Sequence, residues 1–182
     1  MKEVIIKYGF IILFVLGFIS CEKKQISPEL EFVFPEYTES GTNTAAFEIN
    51  NKAYNAYDYW ADTPGISGYY RNGRFFYFFY NADRYNYYRI NLVLDKCKTT
   101  GEYEIDNILK PDNYCSAIIE EFKDSVYVNS YATIPGYTGI LKINKVDTIN
   151  KIIAGQFSFT AVEPQSKDTI RVSRAQFDIK YK

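Results

Sequence analysis

Asp58, Asp62, Asp83, Glu120 and Glu121 are of the residue type that cleaves glycosidic bonds when two carboxyls stand about 5 to 10 Å apart in space. Their spacing selects no pair, and acidic residues at strand ends are commonly solvated. The 182 residues include no histidine, which removes the commonest general base and the orienting member of Ser and Cys triads. Gly65-Ile66-Ser67-Gly68 reads as a turn leading into a strand, whereas a phosphate cradle leads into a helix. The sequence therefore assigns no catalytic residue and no cofactor, and the chain is not expected to be an enzyme. A carboxylate-dependent hydrolase is the least favoured reading.

The three cysteines, Cys21, Cys97 and Cys115, divide by context. Lys2 and Lys7 precede an almost unbroken apolar run from Tyr8 to Ile19, closed by Ser20-Cys21, which is signal-peptide anatomy. The run is shorter than the roughly 20 apolar residues a spanning helix needs, and Glu22-Lys23-Lys24-Gln25 follows it. Phe18-Ile19-Ser20-Cys21 resembles the bacterial lipobox, with Phe18 where Leu is usual. That resemblance implies cleavage before Cys21 and lipid on its sulfur. Because each buried methylene contributes about 0.8 kcal/mol, several acyl chains give lasting attachment to a membrane. Export would place Cys97 and Cys115 where disulfides form, so the two are either a disulfide or separate buried thiols. A metal site is not expected, since histidine is absent and the two thiols lack C-x-x-C spacing.

Removing Met1 to Ser20 takes away Lys2, Lys7 and Glu3 and leaves a formal charge of −2. No block of like charge stands out, so the footprint of a nucleic-acid binder is missing.

Aromatic residues are the unusual feature. Tyr54, Tyr57, Tyr59, Trp60, Tyr69, Tyr70, every residue from Phe75 to Tyr80, Tyr85, Tyr87 and Tyr88 crowd one part of the chain. In Phe75 to Tyr80 both parities are aromatic, so either that strand lies between two layers or one aromatic face looks outward. Core and cross-strand packing is the plainer account. The sharper one is a ligand platform of Tyr57, Tyr59, Trp60, Tyr69 and Tyr70, which flank the turn-rich stretch from Ala61 to Gly68. Tyr and Trp offer an apolar face and a polar edge, and sugar rings stack on such faces.

The elements that must position these residues are strands. From Thr44 onward, short runs rich in β-branched and aromatic residues alternate with Gly, Asn, Asp and Pro. Ile90, Leu92 and Leu94 share one face with Tyr88, and Arg89, Asn91 and Val93 take the other. Phe157, Phe159 and Ala161 repeat the period against Gln156, Ser158 and Thr160. Ile170 and Val172 have the opposite parity to Phe177, Ile179 and Tyr181, so Ser173 to Gln176 must hold a bulge or a turn. Asn50-Asn51-Lys52 reads as a hairpin turn, because Asn tolerates the left-handed region. Asp106 to Lys110, stopped by Pro111, offers one short helical turn. The expected organisation is a signal peptide over residues 1–20, a lipidated Cys and flexible tether over 21–43, and a single all-β domain over 44–182. That domain is expected to be an antiparallel sandwich or partly open barrel.

Several segments together carry a family resemblance: Asn43 to Tyr54 at the domain start, Gly101-Glu102-Tyr103 midway, Ile153 to Ala161, and Gln176-Phe177-Asp178-Ile179. They resemble Bacteroidota lipoproteins that share a domain of unknown function. In these, a strand like F-x-V-N-G-K-x-W opens a β domain, and G-x-F-x-F-x-A and G-x-F-D-V strands close it. This chain departs at Asn51, Tyr54 and Ala175, where Gly, Trp and Gly are usual. The resemblance covers roughly Thr44 to Tyr181 and implies an envelope address, on the outer membrane, and an all-β fold, but no catalytic residues. Taken together, the expectation is a lipid-anchored, noncatalytic binding module for a glycan, peptide or protein, with a structural or assembly component of the envelope as the alternative.

Overall fold

Strand formation follows the period-two pattern, and asparagine turns set the first hairpin. Asn50 and Asn51 both take positive φ, 48° and 66°, and pair Ile49 with Lys52 across a two-residue turn, as the Asn-Asn-Lys signal predicted. Asp124 and Ser125 do the same between Lys123 and Val126, with φ of 49° and 64°. The computed structural model describes residues 34–58, 63–71, 74–82, 86–95, 99–106 and 115–181. These lie in one compact unit, Phe32–Lys182. The signal segment, Cys21 and most of the expected tether lie outside the described residues, as do 107–110 of the short helical turn.

The strands are β1 Thr44–Ile49, β2 Lys52–Asn55, β3 Tyr57–Asp58, β4 Thr63–Pro64, β5 Ile66–Arg71, β6 Arg74–Ala82, β7 Tyr87–Leu94, β8 Gly101–Asp106, β9 Cys115–Lys123, β10 Val126–Ala132, β11 Gly139–Asp147, β12 Ile152–Val162 and β13 Thr169–Lys180. One continuous sheet runs β2-β1-β13-β12-β11-β8-β9-β7-β6-β3-β4, with β5 beside β6 and β10 beside β9. The all-β expectation holds. Pairing is antiparallel except for short parallel contacts of β3 with β6 and of β8 with β9.

The sheet folds back so that its two halves share a core. Phe79 of β6 packs on Phe157 and Phe177, with ring centroids 5.6 and 5.9 Å away, and Tyr77 stacks on Phe177 at 6.0 Å. Tyr77, Phe79, Phe157 and Phe177 are all buried, as are Ile90, Leu92 and Leu94 of β7. At roughly 1.5–3 kcal/mol for each large apolar side chain fully buried, this layer of rings holds the halves together. A single bridge between Ala132 of β10 and Val162 of β12 links them again, consistent with the expected sandwich or partly open barrel.

The register shift expected near Ser173 is a bulge within the continuous strand β13. Phe157 pairs with Ala175 and Phe159 with Val172, so Ser173 and Arg174 face one residue of β12. The same shift appears against β1, between Glu48 and Ile49. Both Ile170 and Val172 before it and Ala175, Phe177 and Ile179 after it thereby reach the core.

Residues 34–43, the end of the expected tether, are fastened to the sheet. Asp178 accepts from the hydroxyls of Thr38 and Thr42 and from the backbone N–H groups of Ser40, Gly41 and Thr42. The Gln176 amide donates to the Pro35 carbonyl, and the Asn144 amide donates to the Tyr37 hydroxyl. Chain that read as polar linker is held because a buried carboxylate needs those donors.

Candidate ligand-binding face

Strands β7 and β9 pair Tyr87 with Phe122, Arg89 with Glu120, Asn91 with Ile118 and Val93 with Ser116. Since Ile90, Leu92, Ala117 and Ile119 fill the core, these alternate residues form the outer face of the pair. The Tyr87 and Phe122 rings stack with centroids 4.4 Å apart and planes 8° from parallel. Tyr127 of β10 meets Phe122 edge-on at 5.9 Å and is 54% exposed. The Arg89 guanidinium lies 5.3 Å from the Phe122 centroid.

Beside this stack, Arg89 Nε and Asn91 Nδ2 both donate to Glu120 Oε2, at 2.5 and 2.9 Å. Burial pushes the Glu120 carboxyl up, but the hydrogen bonds from Arg89 and Asn91 outweigh it and hold the group below the usual carboxylate range. Glu120 thus stays ionised and is unsuited to act as a general acid. On the same face, Asn91 Oδ1 and Ser116 Oγ are buried and have no hydrogen-bond partner among the described residues. The result is a ring surface bordered by planar hydrogen-bonding groups held in place by one another. Such a surface presents apolar faces to C–H bonds and fixed donors and acceptors to hydroxyls.

Of the platform read from the sequence, Tyr59 and Trp60 lie outside the described residues, and for Tyr57 and Tyr70 only the backbone is described. Tyr57 pairs with Asn81 of β6, while Tyr69 pairs with Phe76 and Tyr70 with Phe75. Tyr57 and Tyr69 are therefore separated by five residues along β6, about 17 Å. Tyr69 and Tyr70, consecutive in β5, take register positions on opposite faces. Tyr69, 39% exposed, shares its face with Val93 through Phe76, and so lies on the same side of the sheet as the Tyr87–Phe122 stack. Among the described residues, the aromatic cluster on this side of the sheet is Tyr87, Phe122 and Tyr127.

The acidic candidates do not converge among the described residues. Asp62 and Asp83 lie outside them, and the Asp58 side chain is not described. Glu120 and Glu121 are consecutive in β9 and point to opposite faces. Glu121 lies 3.1 Å from Lys123 Nζ and accepts a hydrogen bond from the Tyr131 hydroxyl at 3.3 Å. Nearby Tyr88 has its phenol pushed up to about 12, by burial first and then by the charge of Glu121. Cys115 is buried and disulfide-bonded, while Cys97 lies outside the described residues.

A concave surface lies on the outer side of β11, β12 and β13. The β13 bulge opens a groove of about 400 Å³ lined by Lys142, Gln156, Ser158, Arg174 and Gln176. Among the described residues no three His, Cys, Asp or Glu side chains are grouped to share a metal ion, and no helix is long and apolar enough to cross a membrane. No family model, no curated protein and no solved structure matches the chain.

Proposed function

We propose that this chain is a lipid-anchored lipoprotein of the cell envelope, on the outer membrane, and that its β domain is a noncatalytic module binding a glycan on the outer face of β7, β9 and β10. The observation that carries this reading is the Tyr87–Phe122 stack beside the Arg89–Glu120–Asn91 cluster. Ring faces of this kind take the C–H face of a pyranose, while Arg89 and Glu120 offer a donor and an acceptor to its hydroxyls. The basic start, the apolar run and the lipobox-like Phe18 to Cys21 support the anchor. A hydrolase is disfavoured, because Glu120 and Glu121, consecutive in β9, point to opposite faces and so do not form the carboxylate pair that glycoside cleavage needs.

The test uses the full chain in detergent, titrated with a panel of neutral and acidic oligosaccharides while aromatic fluorescence is followed. At least one saccharide should shift the signal saturably, and Tyr87→Ala and Tyr127→Ala should each weaken it about tenfold, while Ile149→Ala should not. Absence of a saturable change across the panel would remove the glycan reading. Incorporation of labelled palmitate, lost in Cys21→Ser, checks the anchor.

A further inference from the structure

Sheet edges expose unpaired N–H and C=O groups, and natural proteins guard them with short strands, charge, proline or bulges. Here β4 is two residues long and ends in Pro64, β2 is four residues long and starts at Lys52, and β5 carries Gly68 and ends in Arg71. Strand β10 is different. Its sequence from Val126 to Ala132 has no charged residue. One side pairs with β9, and on the other its pairing among the described residues is the single bridge from Ala132 to β12. Val126, Tyr127 and Val128 are 64%, 54% and 47% exposed, three consecutive large apolar residues on a stretch of edge that no other strand among the described residues pairs with.

We propose that this edge is a self-association surface, on which β10 of a second copy adds antiparallel about a twofold axis through Tyr127. In the two-residue hairpin, Lys123 and Val126 flank the turn as a hydrogen-bonded pair, so the next residue, Tyr127, turns its N–H and C=O to the open side. Pairing about Tyr127 sets Val126 opposite Val128 of the second copy. Like sits against like on both faces, and neither strand brings a charge that would repel its twin. Two features bound the ladder. The register against β9 shifts between Tyr127 and Asn129, and the Asn129 side chain occupies the Ser130 N–H at 3.1 Å. With Ser125 in the turn, the added strand therefore spans residues 126–128. This pairing would set the two copies' Tyr127 rings side by side, joining two aromatic faces into one longer strip.

Two measurements on the full chain in detergent, with no saccharide present, test this separately from the glycan reading. Sedimentation should give a dimer for the wild type and a monomer for Val126→Lys/Val128→Lys, whose exposed positions leave the core untouched. A monomeric wild type at several hundred micromolar, or a dimer that survives both lysines, overturns the proposal. Independently, a hydrogen-bonded antiparallel pair has a Cα separation of about 5.5 Å, within disulfide reach. Tyr127→Cys should thus give a reducible dimer on non-reducing gels, and Ile149→Cys, on the exposed β11–β12 turn, should not. Equal crosslinking of the two also overturns it.

Discussion

The Thr38 hydroxyl donates a 2.6 Å hydrogen bond to the Asp178 carboxylate, joining residues 140 positions apart. Through it and four further donors, the segment leading into the domain becomes part of the sheet's outer surface. Asp178 is itself buried, so its charge depends on these donors. Asp178→Asn keeps the shape but turns an amide NH₂ toward N–H groups. The expected loss is about 2–4 kcal/mol, read by urea unfolding, with faster hydrogen exchange at Ser40, Gly41 and Thr42. Unchanged exchange at those amides would sink this account of the segment.

Asp178 also sets a pH dependence. Burial pushes its carboxyl up, but the hydrogen bonds from Thr38, Gly41 and Thr42 outweigh burial and hold it below the usual range. A depressed folded pKa stabilises fully above the unfolded value of about 3.9 and loses that stabilisation as pH falls through the folded value. The urea midpoint of the wild type should drop between pH 5 and strong acid. Asp178→Asn should show a smaller drop over the same window.

Arg89→Ala should release Glu120. The carboxyl keeps Asn91 and loses its cation, so its pKa should rise toward the ordinary value, read by side-chain carboxyl NMR. Because Arg89 is 40% exposed, solvent screening limits the stability loss to about 1 kcal/mol. A Glu120 titration that does not move would show that Arg89 is not what holds it.

Two glycines test the packing. A Cβ on Gly68 would lie 2.7 Å from the buried Tyr77 ring, and one on Gly139 would lie 2.1 Å from the Ser158 carbonyl oxygen. Gly68→Ala should cost about 1–3 kcal/mol as Tyr77 shifts against Phe177. Gly139→Ala should cost more, because the obstacle is backbone. Thermal melts that rank the two in the reverse order would contradict this.

Cys115 is disulfide-bonded, and Cys97 is its expected partner. Non-reducing peptide maps should link the two. Reduction should destabilise by about 3 kcal/mol, the chain-entropy value for a loop of this length. A link from Cys115 to Cys21 would defeat both this pairing and the lipid assignment.

Period two, turn chemistry and parity are local properties, and they were legible in the chain. The alternation in β7, the Asn50-Asn51 turn and the parity break near Ser173 each follow from a few neighbouring residues, because backbone sterics and the alternation of strand faces act over that range. So did the aromatic surplus, and the absence of histidine with the chemistry that absence excludes. The partners were not legible. Arg89 meets Glu120 across 31 positions, and Tyr87 meets Phe122, only because the folded sheet sets β7 against β9. Tyr57, Tyr69 and Tyr70, close in sequence, are distributed along and across β6 by the same pairing. Which strands become neighbours depends on burying the whole core at once, and no local pattern encodes that. The sequence by itself thus determined the alternation within strands and the Asn50-Asn51 turn, whereas Ile66 to Gly68, which read as a turn, are drawn into β5 by pairing with β6; only the tertiary structure decided which outward residues share a face.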